Sequence, residues 1–371
     1  MRPDLQITAA KIFKQQIQGA IPADRNLSKM GLLDGIKKSL ARAGVDAVVC
    51  DHVITEPTVG YVEDGLKIFK EDRCDFLVSV GGGSCIDTAK SISVLATNQG
   101  KLADFEGMNR VQNPGIPHVA VPTTAGSGSE VSESIVITDP ARNVKMLIIT
   151  VHARARIAFI DPMLTIQMPR IITASTGMDA LAHAIEGYIS TRAHALSDAL
   201  NIHAIQLISE NLFQAWAEGT NTQARTQMMV GALAAGIGFC NSSVALVHGM
   251  ARPLGAYFHI PHGISNAALL PTVMEFTLSA NPQKYARMAQ AMGENTGGLS
   301  MVESAYLAVR AVRRLADSLR IPSLRGLGIE EDKFEKELKR IAQDALTGGS
   351  SQFNPKKATL EEVIELYRKA Y

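Results

Sequence analysis

The rhythm of apolar residues changes once along this chain, near residue 165, and that change limits the folds open to it. From about residue 30 to 160, short β-branched runs (Ala47–Cys50, Phe76–Val80, His118–Val121, Ile157–Ile160) alternate with helix-like stretches (Leu32–Ala43, Val62–Glu71, Cys85–Thr97). Short apolar strands between amphipathic helices predict a parallel sheet covered on both faces. Ser132–Thr138 and Lys145–Thr150 bracket Asp139-Pro140-Ala141-Arg142-Asn143, which predicts a hairpin turn. Beyond residue 165 the strand pattern stops. Asp179–Thr191, Ala195–Ala217, Ala224–Phe239, Pro282–Met292, Met301–Ser318 and Leu360–Ala370 read as helices, the last opened by a Thr359/Glu362 capping box. Pro162 and Pro169 mark the crossover. The expected organisation is an α/β domain over residues 1–165 with a parallel, Rossmann-like sheet, then an all-α domain over 166–371, with Gly348–Ser351 as a mobile connection.

With 371 residues, 46% apolar and 20% charged, the chain can bury two cores. A net charge of +1 without a basic block argues against a nucleic-acid partner. Cys50, Cys74, Cys85 and Cys240 form no C-x-x-C pair, so reduced thiols are expected. The amino end lacks the apolar stretch of a signal peptide, and no run reaches the roughly 18 apolar residues of a membrane span. The expectation is a cytoplasmic protein with no membrane partner.

Two loops follow predicted strands. Phe76–Val80 runs into Gly81-Gly82-Gly83-Ser84 and a helix start at Ile86-Asp87. Backbone N–H groups there can face a phosphate, and glycines leave it room, although a tight turn without a ligand fits the pattern equally. The second loop is Pro122-Thr123-Thr124-Ala125-Gly126-Ser127-Gly128-Ser129-Glu130. Both sit where open α/β sheets bind ligands. Farther along, Asp179 and His183 are four apart in a helical pattern, hence on one face, and His248 and His262 lie in a second segment. Three imidazoles and a carboxylate suit a divalent first-row metal. Asp-x-x-x-His alone is more often a surface pair. His259 is a possible neighbour rather than a ligand.

In order, the chain carries Gly-Gly-Gly-Ser-x-x-Asp-x-Ala-Lys at 81–90, Pro-Thr-Thr-Ala-Gly-x-Gly-x-Glu at 122–130, Gly-x-Asp-Ala-x-x-His-Ala-x-Glu at 177–186, and His-x-x-x-x-x-Leu-Gly…Pro-His-Gly at 248–263. These motifs resemble those of the iron-dependent (group III) alcohol dehydrogenases, in the lactaldehyde reductase and propanediol dehydrogenase branch. The resemblance implies a dinucleotide domain, a helical metal domain, and an active site in the cleft between them. It implies Asp179, His183, His248 and His262 as ligands of Fe2+, with Zn2+ or another divalent metal as alternatives. NAD would be held by Asp24, Gly82, Gly83, Ser84, Asp87, Thr123, Thr124, Ser127 and Lys145, with Asp24 and Glu56 disfavouring a 2′-phosphate. Phe239 and Ser134 are candidates for the substrate pocket. The implied activity is hydride transfer between NAD and small primary alcohols, diols, hydroxy-aldehydes or semialdehydes, by a homodimer.

Two places depart from the family pattern. Gln18–Asp24 replaces a very apolar first strand, and Pro22 cannot donate to a ladder, so a weak or register-shifted strand is expected. Arg252 stands where many relatives carry histidine. Arginine cannot shuttle protons at neutral pH, so Arg252 is a candidate for binding a substrate anion, with proton release through water or a ribose hydroxyl. Alternatives are a glycerol-dehydrogenase-like oxidoreductase, a dehydroquinate-synthase-like lyase using NAD and a metal, and a nucleotide-binding module without catalysis. The lyase needs cations to grip a phosphate, and residues 175–275 offer Arg192, Arg225 and Arg252.

Overall fold

The computed structural model describes residues 17–142 and 144–371; the amino-terminal segment read for a leader and Asn143 of the expected turn lie outside them. Two compact units form, one from residues up to Thr123 with Ser129–Leu164, the other from Thr124–Gly128 with Thr165–Tyr371. Residues 124–128, which sequence places in the amino-terminal domain, pack within the second unit.

The first unit contains β1 (Ile17–Asp24), the short α1 (Arg25–Lys29), α2 (Leu32–Arg42), β2 (Val45–Val53), α3 (Val59–Glu71), β3 (Phe76–Gly81) and α4 (Gly83–Leu95). It continues with β4 (Gly107–Met108), β5 (His118–Pro122), β6 (Ser134–Asp139), β7 (Val144–Ile149) and β8 (Ile157–Ala158). Strands in the order β2-β1-β3-β5-β8 form a parallel sheet. A smaller sheet, β4-β7-β6, contains the expected β6–β7 hairpin. The two-residue period of a strand explains why both faces need cover. Along β3, Phe76, Val78 and Val80 join Leu33 and Leu40 of α2, whereas Leu77 joins Val62 and Phe69 of α3 and Ala89 and Ile92 of α4.

Of the two expectations for the first strand, the register shift is present and the weak pairing is not. β1 lies inside the sheet, paired with both β2 and β3. Pro22 is accommodated by a register shift between Pro22 and Asp24, the kind of irregularity at which a strand tolerates proline. Chain order reverses across β1 and β3, so Asp24 and Gly81 end the two strands that flank the switch point where such sheets bind ligands.

Polar groups also sit inside this unit. The Lys90 ammonium, fully buried, donates to Ser129 Oγ (3.1 Å), Ser132 Oγ (3.0 Å) and the Ser134 carbonyl (3.0 Å), with Asp87 Oδ1 at 3.6 Å. It ties α4 to the chain between β5 and β6. His118 is buried beside it, its Nε2 2.8 Å from Ser79 Oγ.

The second unit is helical: α5 (Arg170–Ile189), α6 (Ala195–Ala217), α7 (Thr222–Cys240), α8 (Leu246–Phe258), α9 (His262–Thr277), α10 (Pro282–Ala291), α11 (Met301–Ser318), α12 (Glu331–Thr347) and α13 (Leu360–Ala370). The Thr359/Glu362 capping box is present. No described helix is long and apolar enough to cross a membrane. Gly348–Ser351 is packed rather than free: Ser350 and Ser351 are buried, Ser351 Oγ donates to the Ala345 carbonyl, and Gly348 accepts from Arg252.

Burial, with Lys90 nearby, pulls His118 down to about 3 from its ordinary 6.5. A folded pKa below the unfolded one means that the unfolded chain takes up the proton first, so stability is fully present above about pH 6.5 and falls as pH drops toward 3. Thermal melts between pH 7 and pH 4 should show a shallower acid-side decline in His118→Gln than in the wild type. Equal declines would contradict the assignment.

Candidate metal centre

α5 is a helix that buries almost its whole length, and Asp179, His183 and Glu186 share one face of it. α8 and α9 bring His248 and His262 to that face. His262 is the first residue of α9, after the break at His259-Ile260-Pro261, where His259 adopts a left-handed conformation and ends α8. Asp179, His248 and His262 each offer a ligand atom, all within 4.8 Å of one another. His248 Nε2 and His262 Nε2 lie 3.8 and 3.9 Å from Asp179 Oδ1. His183 packs beside this trio. Its ring stacks on Phe239 and lies tilted by 30° against His248, with centroids 4.5 Å apart in each case.

Asn266, one turn into α9, closes the group. Its Nδ2 donates to Asp179 Oδ1 (2.6 Å) and lies 3.2 Å from His248 Nε2 and 3.1 Å from His262 Nε2. Glu186 stands behind His248. Its Oε1 accepts from Val247 N (2.6 Å), and its Oε2 meets His248 N (3.4 Å) and His248 Nδ1. The sequence reading assigned a role to neither residue. Glu186 was findable by its seven-residue spacing from Asp179 on one helix face, and Asn266 by its four-residue spacing from His262.

Burial alone would push the Asp179 carboxyl up, but His183, His262 and His248 hold it below its ordinary value. Burial brings His183 and His248 down to about 4 in spite of Asp179. Neutral imidazoles with available lone pairs and an ionised carboxylate are the donor set a divalent metal needs. Asn266 Oδ1 is buried there with no hydrogen-bond partner among the described residues, a cost that a bound ion and its ligands would lessen. The residues present fit a metal.

The cofactor candidates fall in both units. Gly82 caps α4 with no side-chain bond, so the first N–H groups of that helix, at Gly83 and Ser84, have no side-chain cap. Asp24 ends β1 and caps α1, its Oδ1 accepting from Asn26 N (2.7 Å) and Leu27 N (3.3 Å). Lys145 Nζ pairs with Glu56 Oε2 at 2.6 Å. Thr123 is buried, with its N–H donating to the Gly81 carbonyl at 3.0 Å. Asp87 is turned inward: its carboxylate accepts from Ser129 Oγ and Val136 N (3.0 Å) beside Lys90. Ser134 begins β6, its carbonyl taken by Lys90. Thr124 and Ser127 belong to the segment that packs on the helices. A Cβ on Gly126 would stand 2.6 Å from Thr176 Cβ on α5, and one on Gly128 2.7 Å from the Gly236 Cα on α7. Arg252, one turn past His248, donates to the Gly348 carbonyl at 2.7 Å, and burial lowers its pKa from the usual guanidinium range.

The family model described as "Iron-containing alcohol dehydrogenase" matches residues 9–162, and that of the "Fe-containing alcohol dehydrogenase family, C-terminal" matches 173–371. The chain belongs to the iron-containing alcohol dehydrogenase family. As a member of that family it is an oxidoreductase of small alcohols. It is 43% identical over 344 residues to a 1,3-propanediol dehydrogenase of Citrobacter freundii, covering 92% of this chain and 88% of that protein. It is 38% identical over 355 residues to the lactaldehyde reductase of Escherichia coli (strain K12), covering 95% and 91%. The solved structure of an alcohol dehydrogenase from Oenococcus oeni superposes with a TM-score of 0.95 at 34% identity, covering 99% of this chain and 95% of that one.

Gly128 combines a positive φ of 61° with the approach to Gly236. Gly128→Ala should therefore destabilise this iron-containing alcohol dehydrogenase by about 1–3 kcal/mol through overpacking and backbone strain. A thermal midpoint equal to that of the wild type would contradict the close packing of residues 124–128.

Proposed function

We propose that this chain is an NAD-linked dehydrogenase of short primary alcohols and diols, and a reductase of the matching aldehydes, with one divalent iron held by Asp179, His183, His248 and His262. The observation that carries the reading is the buried group of Asp179, His248 and His262, joined by the amide of Asn266 and flanked by the stacked ring of His183. The relatives named for 1,3-propanediol and lactaldehyde support a small, hydroxylated substrate. When bound, the metal supplies Lewis acidity toward a substrate oxygen and NAD supplies the hydride acceptor.

The chain's own part is to bind, orient and exclude water. Gly82, Gly83 and Ser84 would hold the pyrophosphate at the start of α4. Their uncapped N–H groups and their place at the switch point support this. Asp24, at the end of β1, would accept from the adenosine ribose and disfavour a 2′-phosphate. Thr123, Thr124 and Ser127 would line the nucleotide, and Lys145, steadied by Glu56, would reach a ribose hydroxyl. Phe239 would form one wall of the substrate pocket, since its ring already lies against His183. A homodimer in the cytoplasm completes the proposal.

The lyase reading has little to grip a phosphate with. Arg225 is buried, its Nε bonded to the Gly219 carbonyl and its Nη1 to Thr173 Oγ1, and Arg192 lies over the Phe353 ring, which leaves Arg252 alone of the three.

NADH formation from ethanol, 1,2-propanediol and 1,3-propanediol, followed after stripping the metal and adding back Fe2+ or Zn2+, tests the proposal. Turnover should require metal, and Asp179→Ala should abolish it under both additions; turnover without metal would refute the reading. Arg252 bears on the proton and on the substrate. It cannot release a proton at neutral pH, so water or a ribose hydroxyl carries that step, and its charge can hold a substrate anion. Arg252→His should add an inflection near neutral pH to the kcat profile or shift preference away from anionic aldehydes. An unchanged profile with unchanged preference would sink both roles.

A further inference from the structure

Glu186 is almost wholly buried, and nothing in the reading of the donor set uses it. Its surroundings give it two tasks. The residue before α8, Ala245, makes no side-chain cap, so the first N–H groups of that helix need acceptors. Glu186 supplies them from across the bundle, taking Val247 N on Oε1 at 2.6 Å and His248 N on Oε2 at 3.4 Å. The same Oε2 meets Nδ1 of the His248 ring. A carboxylate that already receives two backbone N–H groups faces that ring as an acceptor, so the ring nitrogen turned to it is the one that carries hydrogen.

The far side of the ring is compatible with that answer. His248 Nε2 lies 3.2 Å from Asn266 Nδ2, a nitrogen that can only donate. The orientation of the Asn266 amide is itself fixed by its neighbours. Nδ2 donates to the Asp179 carboxylate at 2.6 Å and lies 3.1 Å from His262 Nε2; reversed, the amide would set its carbonyl oxygen against that carboxylate. One of the two Nδ2 hydrogens goes to Asp179 and the other is shared between His248 and His262, so with hydrogen held on Nδ1 by Glu186, Nε2 of His248 is the lone-pair nitrogen, and it is the atom that belongs to the group around Asp179.

We propose that Glu186 is a positioning residue for the metal: it fixes the His248 tautomer, keeping hydrogen on Nδ1 and the lone pair of Nε2 turned toward Asp179. This rests on the reading of Asp179, His183, His248 and His262 as the metal donors. The pattern of a histidine ligand held from behind by a carboxylate has a general physical basis, since it sets ring orientation and raises ligand basicity.

Glu186→Gln separates this role from simple helix capping. Gln still offers one oxygen to Val247 N–H, so α8 keeps its cap. Its amide NH2 then faces His248 Nδ1 and donates, which moves the ring hydrogen to Nε2 and covers the lone pair. Zinc affinity of the full chain, measured by competition with a chromophoric chelator, should fall roughly 10- to 100-fold, while the melting of the metal-stripped protein stays close to wild type. An affinity equal to wild type in a folded variant overturns the inference.

A measurement on the unaltered chain guards against a variant that fails to fold. Long-range 1H–15N spectra of the zinc-loaded, histidine-labelled protein, with His248 assigned by its loss in His248→Gln, should show hydrogen on Nδ1. Hydrogen on Nε2 overturns the inference without any change at Glu186. Asp179→Ala tests the underlying reading by itself. If that variant binds zinc like the wild type, the donor set is wrong; if it loses zinc while Glu186→Gln retains it, the inference alone fails.

Discussion

A carboxylate inside a helical bundle, with neither lysine nor arginine among the described residues bonded to it, has to be met by something else, and the arrangement around Asp179 is the answer this chain gives. Desolvation on its own would drive a proton onto it. Three imidazoles and the Asn266 amide hold it ionised instead. Burial in turn penalises the charged form of His183 and His248 and pulls both down to about 4. The second unit is organised by this requirement. α5 presents Asp179, His183 and Glu186 together, α8 is anchored at its start by Glu186, and α9 begins at His262 itself.

Close backbone approach makes the arrangement possible. Gly263 lets the start of α9 settle on α5, where a Cβ would stand 2.7 Å from the Ser175 carbonyl. Gly126 and Gly128 do the same for residues 124–128, which is why this short piece of chain packs with the helices although it directly follows a sheet strand. In the first unit the corresponding constraint is Lys90, an ammonium without solvent that fastens the loop after β5 to α4 through Ser129, Ser132 and Ser134. Asp87 was read as a cofactor residue because its motif surrounds a phosphate loop. Its geometry shows that the motif also encodes this internal brace.

The alternation of strands and helices was legible because each β-branched run is short, apolar and bounded by an amphipathic stretch, and β3, β5 and the β6–β7 hairpin fall where that pattern puts them. The misses have physical causes. α5 starts at Arg170, nine residues before the helix expected from Asp179: Thr173, Ser175 and Gly177 have weak helix propensity that their burial overrides. α8 and α9 escaped notice because Pro253 and Pro271 lie inside them, where proline ordinarily ends a helix. These two helices carry His248 and His262. The donor residues themselves were readable from spacing and motif order; spacing also puts Glu186 and Asn266 on the faces of those donors, but their roles come from contacts between helices far apart in sequence.

The central claim is that one metal ion sits among Asp179, His183, His248 and His262. Crystals of the iron-reconstituted protein, measured on either side of the iron absorption edge, test it most directly. The account predicts one anomalous peak bonded to all four residues, with metal–nitrogen and metal–oxygen distances of about 2.0–2.2 Å, the range usual for zinc in such a donor set. A peak elsewhere, or one bonded to the trio with His183 still stacked aside, would contradict it.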